Sequence, residues 1–200
     1  MTIGKRGWTS VALGAGIILS LAGSLLPAAS AAQHLEQFRA FAVNQGGAQP
    51  LDRTMSGVLE ITIDRWSTTS ERQALIAAFA ERGQDGLLEL LQKEKPTGYL
   101  RLPNTIGWDL RYARQVPGED GGRRIVVATD RRMTSREILN QSRTVDYPFT
   151  IIELHVNKDN VGDGALSALT KITTNKKKQV IEIENYGEAP ARLTEVMPLR

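Results

Sequence analysis

Glu153 and His155 stand two residues apart in a stretch, 149–156, whose intervening places hold Thr150, Ile152, Leu154 and Val156. Alternation of period two marks a strand with one apolar and one polar face, so the acid and the imidazole project to the same side. A carboxylate beside a histidine is the simplest unit of general acid–base catalysis, because neighbouring charge tunes the imidazole near neutral pH. The pattern recurs in 108–116, where Trp108, Leu110 and Tyr112 share one face and Asp109 and Arg111 the other. Glu60 and Asp64 add acids to a third alternating stretch. Strands lying side by side would gather these groups into a site able to act as a hydrolase or isomerase. The plainer reading is a solvated sheet face with cross-strand ion pairs, each worth about 0.2–1 kcal/mol. Strand order decides between them.

Other chemistry finds less support. His34, the second of two histidines, lies near the N-terminus, far in sequence from any partner ligand, and no metal or cofactor is expected. The run from Asn157 to Gly164 is oxygen-rich like a calcium loop, with Gly162 in the sixth place. Val161 nevertheless fills a ligand position, and Ala168 stands where the bidentate glutamate belongs, so a hairpin loop is expected. No Gly-x-Ser-x-Gly or Ser-x-x-Lys motif offers a nucleophile. In the glycine-rich run 118–122, Glu119 and Asp120 would repel a phosphate. Arg123, Arg124, Arg131, Arg132, Arg136 and Arg143 form the one cationic cluster. It either grips an anionic partner bidentately or is a rim neutralised by Asp120, Asp130, Glu137 and Asp146. The chain has no cysteine, which excludes disulfides, thiol nucleophiles and zinc–thiolate sites.

The N-terminus carries its own message. Lys5 and Arg6 precede an uncharged run with an apolar core at 11–26, Pro27 interrupts it, and Ala29-Ser30-Ala31 presents small residues at both positions a signal peptidase reads. Residues 1–31 are therefore expected to be a signal peptide cleaved after Ala31, directing export to a bacterial periplasm or the medium. The competing reading is an uncleaved membrane anchor. Lys5 and Arg6 also supply two of the three net positive charges, so the mature chain is nearly neutral and no nucleic-acid partner is expected.

The elements that must position these residues follow from periodicity and caps. Leu35, Phe38 and Ala42 recur at helical spacing and suggest a short helix over 33–42; Gly46, Gly47 and Pro50 mark a linker to about residue 56. Leu59, Ile61 and Ile63 then alternate in a strand over 58–66. Thr68 and Glu71 form a capping box opening a helix that Gly83 closes; Asp85 caps a second helix ended by Pro96. A further capping box, Thr134 and Glu137, implies one helical turn. Seven strand candidates follow Pro96: 98–102, 107–116, 123–129, 147–157, 164–174, 179–186 and 191–197. Around Lys176, Lys177 and Lys178 a hairpin joining apolar faces sets Ile172 opposite Ile181 and Lys171 opposite Glu182, with the lysines at an exposed turn.

The expected fold is thus α+β: residues 57–200 form one domain, a curved antiparallel sheet of about seven to eight strands with two helices inserted after the first strand, preceded by an N-terminal segment over 32–56. The element order resembles the first part of helix-grip folds, which carry apolar ligands between sheet and helix, although here the chain ends in a strand and Pro198. The functional expectation is an exported, monomeric, non-catalytic module that binds a small apolar ligand or a protein partner, with no membrane association after cleavage. Leu75, Phe79 and Leu88 are the candidates for lining an apolar cavity against the inner sheet face. The alternative is a hydrolase or isomerase using Glu153, His155, Asp109 and Arg111.

Overall fold

The computed structural model describes residues 34–43, 57–102, 107–118, 121–132, 145–175, 180–186 and 189–199. The expected leader with Ala31, the linker, the Thr134–Glu137 capping box, Arg136, Arg143 and the lysine turn lie outside these residues. In chain order the elements are β1 (Glu36–Val43), β2 (Gly57–Ile63), α1 (Thr69–Lys93), β3 (Gly98–Arg101), β4 (Trp108–Leu110), β5 (Tyr112–Pro117), β6 (Arg123–Thr129), β7 (Phe149–Val156), β8 (Gly162–Asn175), β9 (Val180–Asn185) and β10 (Ala191–Pro198).

The architecture is mostly β, an antiparallel sheet of ten strands with one helical element among the described residues. Its strand path runs β4-β3-β2-β1-β10-β8-β7-β6-β5, with β9 attached to β8 alone. β4 and β5 are halves of one bent strand separated only by Arg111. One half pairs β3 and the other β6, so the ends of the path come together and the sheet curls into a near-barrel. Across the bend the Arg111 amide donates to the Ala128 carbonyl at 2.8 Å.

Three expectations are corrected here. Residues 36–43 form a strand, not a helix, because burial follows Phe38, Ala40 and Ala42 while Arg39, Phe41 and Val43 are exposed. β1 lies between β2 and β10, which satisfy its backbone on both edges. Leu110 and Tyr112 do not share a face: the bend at Arg111 flips the alternation, so Leu110 and Ala113 point inward and Tyr112 outward. The final hairpin keeps even residues opposite odd ones, but Ile172 faces Ile183 and Lys171 faces Glu184, two residues from the expected register. Tyr147 supports the observed pairing by donating its hydroxyl to Glu184 while the Lys171 ammonium lies 5.9 Å from its ring.

The barrel interior is filled. Leu59, Ile61, Ile63, Leu100, Ile125, Leu154, Leu166 and Leu193, together with Phe38 and Ile152, are at most 1% exposed. A barrel of this small circumference is just wide enough for its own side chains. The interior of the barrel is therefore core, and the helix packs on the outside.

Thr68 caps α1 as the sequence indicates: its hydroxyl accepts from the Glu71 amide at 3.1 Å, and Glu71 Oε2 accepts from the Thr68 amide at 2.7 Å. Where two helices were expected there is one helical element broken at Gly83, whose φ of 63° and ψ of −149° suit glycine. The second half folds back against the first. A Cβ on Gly86 would lie 2.6 Å from the Ala78 carbonyl oxygen, so glycine is required at that crossing as well.

Candidate functional site

The outer face of β5, β6 and β7 reads as three rows of side chains. The first is Tyr112, Ala128 and Ile151; the second Arg114, Val126 and Glu153; the third Val116, Arg124 and His155. Successive rows lie about 6.6 Å apart along the strands. The face grades from apolar to charged, and α1 lies over its apolar end.

Anchors at both ends and at the break hold α1 there. At its start the Ser67 amide donates to the Ala113 carbonyl at 2.8 Å and the Ala113 amide to Ser67 Oγ at 3.1 Å, fixing the first turn on β5. Arg65 donates to both Glu71 carboxylate oxygens at 2.9 and 3.0 Å. Those bonds, then the Thr68 amide, hold the Glu71 carboxyl below its ordinary pKa. Beyond the break, Gln84 Oε1 accepts from the Ile172 amide at 2.9 Å and its amide donates to the Asp146 carbonyl at 2.9 Å. At the far end Arg111 donates to the Glu94 carbonyl at 2.9 Å.

Between these anchors the helix does not close onto the barrel. A groove of about 330 Å³ remains, floored by Tyr112, Val126, Ala128 and Ile151 and roofed by Leu75, Ile76, Leu87 and Leu91. Ile172, Ile181 and Ile183 of the β8–β9 hairpin form its side wall. Its volume is at the low end of the roughly 300–1,000 Å³ typical of ligand pockets. Ile76, Ile181 and Ile183 are 45%, 58% and 55% exposed, unusual for isoleucines lining one feature. A hollow of about 280 Å³ continues it past Arg114 and Val116, and a broader, more polar hollow of about 720 Å³ follows beside Arg124 and His155.

Of the residues singled out for apolar binding, Leu75 lines the groove. Leu88 packs against the helix-side cluster without lining it, and Phe79 is half-buried elsewhere on the helix. Tyr112, Val126, Ala128 and Ile151 were missed. A signal for them existed: Ile125-Val126-Val127-Ala128 is apolar without alternation, the mark of a strand covered on both faces.

The polar candidates fall into two groups. His155 Nε2 lies 2.9 Å from Glu153 Oε1, which also meets Arg124 at 3.5 Å, and the imidazole is 59% exposed. Arg111 lies 3.2 Å from Asp109 and 3.7 Å from Asp130. His155 is level with Arg124 and Arg111 is bonded at Ala128, so the groups sit four residues apart along β6, about 13 Å. His34 reaches Asp64 at 2.5 Å and meets the edge of Tyr99. The oxygen-rich loop after β7 is a hairpin connection in which Asn157 Oδ1 accepts from the Asp159 and Val161 amides. Arg123 holds Glu36 through two bonds of 2.8 and 2.6 Å and also bonds Asn160. Among the described residues no group of three His, Asp or Glu side chains is placed to hold a metal ion. No described helix is long and apolar enough to cross a membrane.

Comparison with protein-family models, curated proteins and solved structures found no match to this chain.

Proposed function

We propose that this protein is an exported, non-catalytic binding module whose ligand lays an apolar moiety in the groove between α1 and the outer barrel face. The observation that carries this reading is the groove itself: apolar side chains from α1 and five strands face one opening, and three isoleucines remain substantially exposed there. Apolar side chains left exposed together around one lined concavity mark a binding surface, which residues exposed singly do not. Catalysis by Glu153, His155, Asp109 and Arg111 would require them around one reacting atom, and they stand in two groups.

A neutral naphthylamine dye, whose emission rises in apolar surroundings, tests the reading. The protein should enhance its fluorescence saturably, and Ala128→Trp, which fills the groove from its floor, should abolish the enhancement while thermal unfolding stays cooperative. Enhancement that survives Ala128→Trp places the apolar site elsewhere. A protein that captures no neutral apolar probe leaves a protein partner as the occupant and defeats the small-ligand reading.

A further inference from the structure

The groove has a charged mouth. Arg72 lies one turn into α1 and lines the groove beside Leu75 and Ile76, which stand three and four residues further on and so share its helix face. Arg114 follows Tyr112 on the outer face of β5 and lines the hollow that continues the groove. The two belong to one neighbourhood, because the turn preceding Arg72 is fastened to Ala113, the residue before Arg114. Both are partly buried.

Neither guanidinium forms an ion pair with a described residue, unlike the arginines around them. Arg65 holds Glu71, Arg111 holds Asp109, Arg123 holds Glu36 and Arg124 holds Glu153. The nearest acid in sequence to Arg72, Glu71, is occupied by Arg65 and the helix cap. No aspartate or glutamate lines the groove or the hollow continuing it. The mouth therefore presents two uncommitted cations against an apolar chamber, a poor arrangement for a neutral hydrocarbon and a complementary one for a chain ending in an anion.

We infer that the ligand is a single-chain amphiphile with a carboxylate head: the chain lies under α1 and the head meets Arg72 and Arg114. This rests on the groove reading above and adds the charge of the ligand. Guanidinium–carboxylate bonds are charge-assisted and paired in geometry, and they strengthen where surrounding apolar side chains exclude water.

Displacement of the neutral dye by dodecanoate and by 1-dodecanol, equal in chain length and different in charge, separates the two claims. With the unaltered full chain near neutral pH, dodecanoate should displace the dye at concentrations about tenfold or more below dodecanol, as expected of hydrogen bonds to a charged group. Arg72→Met and Arg114→Met keep apolar bulk and should each erase most of that preference without weakening dodecanol. Equal displacement by acid and alcohol overturns the anion inference and leaves the apolar groove standing. A preference for the acid that persists in both arginine variants also overturns it, by placing the charge recognition elsewhere. Failure of both compounds to displace a dye that Ala128→Trp abolishes would overturn the inference by excluding a linear chain. Failure of the dye itself to report the groove removes the reading on which the inference rests.

Discussion

The two faces of the barrel wall carry similar side chains and use them differently. Inside, Ile125 and Leu154 sit at 0% exposure among partners from every strand of the circuit. Outside, Val126 and Ile151 of the same two strands floor a space that α1 spans without filling. The interior shows that this chain can bring isoleucine and leucine to complete burial. The groove therefore does not reflect a poor supply of apolar residues. It reflects where α1 is tied: Ser67 to Ala113, Gln84 to Ile172 and Arg111 to Glu94 fix the helix at polar points, leaving the apolar surface between them open. Stability resides in one layer and an available surface in the next.

The largest effect expected from this contrast is in the interior. Leu154→Ala removes a side chain with no exposure and leaves a cavity within a filled core, so it should cost about 2–5 kcal/mol in denaturant unfolding. A cost below about 1 kcal/mol would show that the interior is no better packed than the groove, and the comparison would fail.

An intermediate effect is expected at the first anchor. Glu71→Gln weakens the bonds to Arg65 and the reciprocal half of the cap, which should cost on the order of 1 kcal/mol. The pH dependence has a definite sign. Arg65 holds the folded carboxyl below its ordinary value of 4.5, so its contribution is full above that value and is lost as pH falls through the depressed one. The unaltered protein should therefore lose stability below about pH 4.5 more steeply than Glu71→Gln. Parallel acid profiles would show that this anchor does not hold the helix.

Much of this arrangement was legible where the cause is local. The strand at 123–129 is found where a β-branched apolar run stands between turn residues, and Thr68, Glu71 and Gly83 mark the helix start and break because capping and left-handed backbone are chemistry of a few adjacent residues. The sheet remains antiparallel and curved as expected, but closure depends on pairings such as Phe38 with Pro198 and on the single bend at Arg111, which local periodicity does not contain. In residues 36–43 alanines at alternate positions fit both a helix and a strand, and the neighbours of β1 decide. Leu75 was recognisable as a lining residue from its helix stripe. For the floor, the unbroken apolar run 125–128 signals that β6 is covered on both faces, but not by what, because the covering helix lies far away in sequence.

The smallest effect on stability, and the sharpest on the comparison, belongs to the β8–β9 hairpin. Ile181 and Ile183 point to the groove yet are 58% and 55% exposed, so little of their surface is withdrawn from water on folding. Threonine keeps the β-branched shape that suits a strand and replaces the ethyl branch of isoleucine with a hydroxyl. Ile181→Thr and Ile183→Thr should therefore change unfolding stability by less than about 0.5 kcal/mol each. A bound apolar ligand would cover the same side chains, and each of the two carbons lost is worth about 0.8 kcal/mol when buried, so each variant should weaken neutral-dye binding by roughly four- to fifteenfold. Measuring both quantities on the same preparations makes the outcomes distinct. A large stability loss would assign these isoleucines to the core and erase the difference between interior and groove. Unchanged stability with unchanged dye affinity would remove the hairpin from the binding surface and leave a site built from α1 and the barrel wall alone.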